Sequence, residues 1–177
     1  MMAPTEDPVD AAWQARREGR HEDAERGLLE VIRTARQSGT RLQLIRGLNA
    51  LAHVVRDVDQ DERALPLYEE AVILSREEGD ILVLAHTVRH LGDLHRDADR
   101  LAEADQCYSE SISLYRSAGS PPALDFANAL RPAALLKERQ GDDAGARELW
   151  SEARVLYQAA GVQPGVDVRQ ALGPMNK

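Results

Sequence analysis

A single cysteine, Cys107, cannot close an internal disulfide, which removes the small disulfide-stapled secreted scaffolds from consideration. The first ten residues, Met1 to Asp10, carry proline and acids where a secretory signal needs a basic and then an apolar run, so the sequence reads as cytoplasmic. No stretch approaches the ~18 uncharged apolar residues of a membrane span. Even the run from Ile81 to Ala85 soon meets His86 and Arg89. Aromatic residues are scarce, with one Phe among them, and β-branched runs are few, which argues against sheets. Positive charge is in deficit: 22 basic against 30 acidic side chains leave a net charge of −8, unsuited to phosphate backbones or anionic lipid. The sequence also lacks a glycine-rich phosphate loop, a G-x-S-x-G elbow and a dinucleotide fingerprint. No enzyme activity and no cofactor are therefore expected. What the chain does have is 177 residues, 43% of them hydrophobic, dominated by Ala, Leu, Arg and Glu. That is enough for a real core in an all-α fold.

Sliding the chain against itself reveals a period of 40 residues. Ala24, Ala64 and Ala104 fall on it, and Ala146 follows after 42, the extra two residues lying at Ser120-Pro121-Pro122. Four positions after each alanine stands a large side chain: Leu28, Tyr68, Tyr108 and Trp150. Three further on come Val31, Ala71, Ser111 and Ala153, and each segment closes on a glycine, at 39, 79, 119 and 161. Glycine adopts the left-handed conformation that ends a helix. A second helix precedes each of these, with Leu48, Leu51, Ala52 and Val54 matching Val88, Leu91, Gly92 and Leu94. Gly19-Arg20, Asp59-Gln60, Asp99-Arg100 and Gly141-Asp142 supply turn or cap residues between the helices at one phase. The unit is thus a helical hairpin, repeated over about 8–39, 40–79, 80–119 and 120–161, with 162–177 as a cap or tail. A hairpin of two amphipathic helices buries its apolar face only by stacking on a neighbour.

Leu91-Gly92, followed by Ala104, Tyr108 and Ser111, resembles the tetratricopeptide signature, and the four copies in phase extend that resemblance over roughly residues 8 to 161. The repeat here is longer than the family's usual ~34 residues and lacks its closing proline. In length it is similar to the variant found in kinesin light chains and many bacterial regulatory proteins. The resemblance implies a right-handed solenoid of four hairpins. Local departures are expected as well. Pro8 limits the first helix, and Ser120-Pro121-Pro122 reads as an N-cap with proline at the first helical position. Pro132, deep in the seventh helix, predicts a kink or an early break. Val166 to Leu172 would form a short capping helix.

His86, His90 and His95 lie on one predicted helix, together with Asp93 and Asp97. Histidines four apart share a face, but neither an H-E-x-x-H pattern nor a nearby cysteine accompanies them, so they read as a solvated polar face with no metal. Cys107 and the Tyr68, Tyr108 and Trp150 set read as packing residues.

In tetratricopeptide proteins the first helices line a concave groove, and the resemblance places Arg16, Arg46, Asn49, His53, Arg56, His86, Arg89, His90, Asp93, Arg96, Asn128 and Arg131 there as peptide-binding candidates. Glu6 and Trp13 of the first hairpin and Leu135 of the fourth fall on the same face. Across the 24 groove positions, eight arginines outnumber six acids for a net of +2, and the remainder of the chain carries −10. Arg56, Arg89 and Arg96 are expected to be solvent-exposed. Their planar forks suit carboxylates, so the expected function is a protein-interaction scaffold that holds a peptide of acidic character. One alternative is self-association of two copies through an apolar end. A nucleic-acid binder using the arginine column is disfavoured by the acidic remainder. Recurrence of Arg16, Arg56 and Arg96 also has a bland origin, in duplication of one hairpin and in the preference for cations near helix C-termini.

Overall fold

The computed structural model describes residues 7–163, and among them it contains eight α-helices and no strand. They are α1 (Pro8–Arg17), α2 (His21–Ser38), α3 (Arg41–Arg56), α4 (Asp61–Glu78), α5 (Ile81–Asp97), α6 (Leu101–Ser117), α7 (Ala123–Arg139) and α8 (Asp143–Ala159). The chain divides at Asp80 and Ile81 into two compact units, each built of two helical hairpins. In the first, α1 packs on α2, α2 on α3, α3 on α4, and α1 also touches α3. The second repeats this scheme with α5 to α8, and α5 touches α7. Glu6 and the residues of the expected capping helix, Val166 to Leu172, lie outside the described residues.

The repeat positions carry the packing. Ala24, Ala64 and Ala104 are fully buried, Ala146 nearly so, and the Leu28, Tyr68, Tyr108 and Trp150 series is buried beside them. The small side chains at these crossings let backbones approach: buried Ser111 of α6 donates to the Ala85 carbonyl of α5 at 2.7 Å. Tyr115 stacks on Phe126 at 5.5 Å between ring centres, joining the two hairpins of the second unit. Helix ends obey the predicted punctuation. Gly39 and Gly79 take φ of +72° and +79°, where an L side chain is strained, and their N–H groups close onto Ala35 and Ser75. The turn inside each hairpin is also left-handed, at Gly19 and Gly141 but also at Asp59 (φ 57°) and Asp99 (φ 59°).

Three local expectations change. α7 does not begin on a Ser120 cap; it starts at Ala123 with Pro122 at the N-cap and no side-chain cap bond. Nor does Pro132 break it, because the helix runs from Ala123 to Arg139. A proline inside a helix costs about 3 kcal/mol in lost bonding and ring clash, whereas burying Phe126, Leu130 and Leu136 returns roughly 1.5–3 kcal/mol each. Pro66 is likewise carried inside α4. Finally, the histidine face of α5 is only partly solvated: His90 is 6% exposed and Asp93 is buried, while His86 and His95 are half-buried and Asp97 is exposed.

Candidate functional site

The second unit gathers five of the sequence-predicted residues around one cleft of about 420 Å³. Arg89, Asp93 and Arg96 come from α5, at i, i+4 and i+7 along the same face, and Asn128 and Arg131 come from α7, with Pro132 and Leu135 completing the lining. Three arginines face one acid, so the lining is net positive in a chain of net charge −8.

Asp93 is the centre of the polar contacts. Its Oδ1 accepts the Tyr108 hydroxyl from α6 at 2.9 Å, and its Oδ2 accepts Arg89 Nη1 at 3.2 Å. Arg96 Nη1 lies 3.5 Å from Oδ1 and His90 Nδ1 3.4 Å from Oδ2. Arg89 also contacts His90 Nε2, and Arg96 holds Asp97 at 2.8 Å. Burial, then the Asp93 charge, pushes the Tyr108 phenol far above its ordinary value and keeps it a neutral donor. On the α7 side, Asn128 Oδ1 accepts the Tyr157 hydroxyl of α8 at 2.9 Å, which fixes the amide. Arg131 is exposed.

The expected solvent exposure of the arginines is corrected by these contacts. Side-chain exposure is 20% for Arg56, 15% for Arg89 and 29% for Arg96, because each stem is packed and each head approaches an acid. Asn49, His90 and Asp93 are buried. His86 sits edge-on to His90 at 4.6 Å, and burial, reinforced by the Arg89 guanidinium, lowers it to about 4.

In the first unit the remaining candidates are occupied differently. Arg16 forms a two-point bridge to Asp57, at 2.5 and 2.9 Å, and stands 5.1 Å above the Trp13 ring. Arg46 pairs with Asp7 at 2.6 Å and Asp10 at 3.3 Å. His53 lies between Trp13 and Tyr68, with ring centres at 5.3 and 5.8 Å. Arg56 approaches Asp61 at 3.7 Å. An apolar cleft of about 440 Å³ in this unit, lined by Pro8, Gly27, Val31 and Thr34 among others, contains none of the predicted residues.

Sequence reasoning treated Tyr108 and its counterparts as packing residues and missed the hydroxyl that anchors Asp93. The signal was the in-phase series Trp13, His53, Asp93 and Leu135, in which a single acid replaces rings and an aliphatic.

Paired hairpins with in-phase small and large residues, left-handed glycine ends and first helices in mutual contact define a tetratricopeptide-like helical repeat fold. Solved structures of that kind superimpose on it. They include the apo form of RapI (TM-score 0.78, 12% identity, over 87% of this chain and 56% of that one). BtubC (BKLC) from P. vanneervenii matches with a TM-score of 0.77 and 19% identity, over 90% of this chain and 65% of that one. A Podosopora anserina putative kinesin light chain with nearly identical TPR-like repeats matches with a TM-score of 0.71 and 13% identity, over 93% and 84%. The chain thus spans less than two thirds of the length of RapI or BtubC. The sequence itself matches no family model and no curated protein. Among the described residues, no helix is long and apolar enough to cross a membrane.

Proposed function

We propose that this chain is a protein-interaction scaffold, and that the cleft between α5 and α7 takes an acidic segment of a peptide partner. One observation carries the reading: Arg89, Arg96 and Arg131 line a single cleft in which Asp93 is the one acid among the described lining residues, on a protein that is otherwise acidic. Guanidinium forks match carboxylates in geometry, and a positive cleft on a negative surface steers acidic segments toward itself. Asn128, fixed by Tyr157, adds an amide for the backbone of the bound segment. The reading includes no catalytic step.

The test is fluorescence anisotropy of the full chain with a labelled Asp/Glu-rich peptide, its Asn/Gln analogue and a basic peptide, each at low and high salt. The acidic peptide should bind tightest, and salt should erase its advantage. Arg131→Glu places an acid at an exposed position of the lining and should abolish the preference with little change in melting temperature. If the acidic peptide and its neutral analogue bind the original chain alike, the cleft is not an acidic-peptide site.

A further inference from the structure

Within the cleft, Asp93 has the wrong sign for the proposed ligand. Its side chain is 11% exposed, its Oδ1 accepts Tyr108 and its Oδ2 accepts Arg89, and Arg96 and His90 approach the same oxygens at 3.5 and 3.4 Å. It is therefore placed to act on the arginines rather than on a partner. The tie to Tyr108 is what distinguishes it from an ordinary surface pair. Tyr108 is 1% exposed, with its ring edge against the backbone of α5 at Gly92, so the carboxylate is anchored to the core of the third hairpin and cannot follow a moving guanidinium. Arg96 is held from a second side by Asp97. Long arginine side chains lose about 2 kcal/mol of rotamer freedom when fixed, a cost that a preorganised site has met before the ligand arrives.

Resting on the acidic-peptide reading above, we propose that Asp93 is a positioning residue: anchored by the Tyr108 hydroxyl, it fixes Arg89 and Arg96 as a preorganised pair on the cleft wall and thereby sets selectivity for an acidic partner. The proposal makes a prediction of opposite sign to charge counting. Asp93→Asn makes the cleft more positive by one unit, so a purely electrostatic role tightens acidic-peptide binding. A positioning role weakens it, by roughly tenfold to a hundredfold if one charge-assisted contact to the ligand is lost. Asp93→Glu separates the two from the other direction, since it keeps the charge and displaces the carboxylate by one methylene. Positioning predicts weaker binding for this variant too; charge counting predicts none.

The experiment has a ligand-free arm and a peptide arm, both on the full chain. In the first, arginine Nε–Hε NMR spectra of the original protein should show slow rotation and dispersed shifts for Arg89 and Arg96. Asp93→Asn should move Arg89 toward the values of exposed arginines and Arg96 less, because Asp97 still holds it, and an unchanged Arg89 signal would overturn the proposal whatever the ligand is. In the second arm, the labelled Asp/Glu-rich peptide should bind both variants more weakly than it binds the original. Tighter or equal binding of Asp93→Asn overturns the positioning role while leaving the acidic-peptide reading intact. An original chain that shows no acidic preference sinks that reading, and the NMR arm still decides the geometry. Should Asp93→Asn fail to fold, Tyr108→Phe keeps the ring and removes only the anchor. It must then mobilise the Arg89 guanidinium, and a rigid Arg89 in that variant would again overturn the proposal.

Discussion

Three helical glycines in this chain should respond to the same substitution in three different ways. Replacing glycine by alanine inside a helix gains about 0.8–1 kcal/mol of intrinsic propensity wherever it is done. What differs is the space for the new methyl. At Gly27, on the exposed side of α2, a Cβ meets nothing within 4 Å, so Gly27→Ala should keep the full gain. At Gly47 of α3 it would stand 3.0 Å from Ile32 Cγ1 and 3.3 Å from Val31 Cγ1, side-chain atoms that yield by a few tenths of an ångström; the net should be near zero. At Gly92 of α5 it would lie 2.8 and 2.9 Å from the Tyr108 ring and 3.0 Å from Cys107 Cβ. That ring cannot swing aside, because it is buried and its hydroxyl is tied to Asp93. Overpacking of this kind costs about 1–3 kcal/mol, so Gly92→Ala should destabilise by about 1 kcal/mol net. Because the propensity gain is common to both, the difference between Gly92→Ala and Gly27→Ala isolates the cost of the clash. Urea unfolding followed by circular dichroism gives the midpoints. Hydrogen exchange of α2 and α5 amides localises the effect, since the two sites lie in different compact units. Gly92→Ala proving as stabilising as Gly27→Ala would refute the reasoning, and with it the tight α5–α6 contact on which the Tyr108–Asp93 anchor depends.

Two further outcomes follow from the backbone and the buried histidine. Asp59 occupies a left-handed conformation that glycine fills in two of the other hairpin turns, so Asp59→Gly should raise stability by about 0.5–1 kcal/mol. Asp99→Gly should gain less, because Asp99 also accepts Arg139 at 2.7 Å in an exposed pair worth up to about 1 kcal/mol; thermal melts of both variants check the order. His86 is held near 4 in the folded chain, chiefly by burial and then by Arg89, against about 6.5 when unfolded. A lowered folded value means the stability is fully present above pH 6.5 and is lost as pH falls toward 4. His86→Gln should therefore flatten the fall in stability across that window, and parallel acid slopes for the two proteins would show that His86 contributes nothing to it.

The architecture was legible because it is written redundantly. Four alanines, four large residues and four glycines in phase leave little freedom about where helices start, stop and cross, and the structure buries or turns each as the period requires. Legibility failed where tertiary packing outweighs a local rule. Pro132 carries a strong helix-breaking signal, but its helix is clamped by buried neighbours on either side of it. Groove residues were legible as positions and not as states. The tetratricopeptide resemblance assigned Arg89, Arg96, Asn128 and Arg131 to one face, yet the Asp93 contacts to the first two depend on a tyrosine 15 residues further along, on another helix. No one-dimensional spacing rule encodes that hydroxyl.

The arginine column shows how one repeated residue comes to do two things. Arg16 bridges to Asp57 at the end of the next hairpin's first helix, a structural role that needs no ligand. Its counterpart two repeats on is Arg96, and the position equivalent to Asp57, two repeats and two inserted residues later, is Arg139. The bridge cannot form there between like charges. Arg96 turns instead to Asp97 and Asp93 on its own helix and lines the cleft, while Arg139 pairs with Asp99. A helix-end preference for cations applies equally to Arg16 and Arg96 and so does not account for the difference. Restoring the acid should restore the structural role: Arg139→Asp offers Arg96 the partner that Arg16 has, at the cost of one exposed pair worth about 1 kcal/mol or less. Acidic-peptide affinity should then fall, and by more than in Arg147→Asp, which makes the same charge change at an exposed position on α8. Equal losses in the two variants would mean that net charge alone attracts the peptide, and undiminished binding in Arg139→Asp would remove Arg96 from the site.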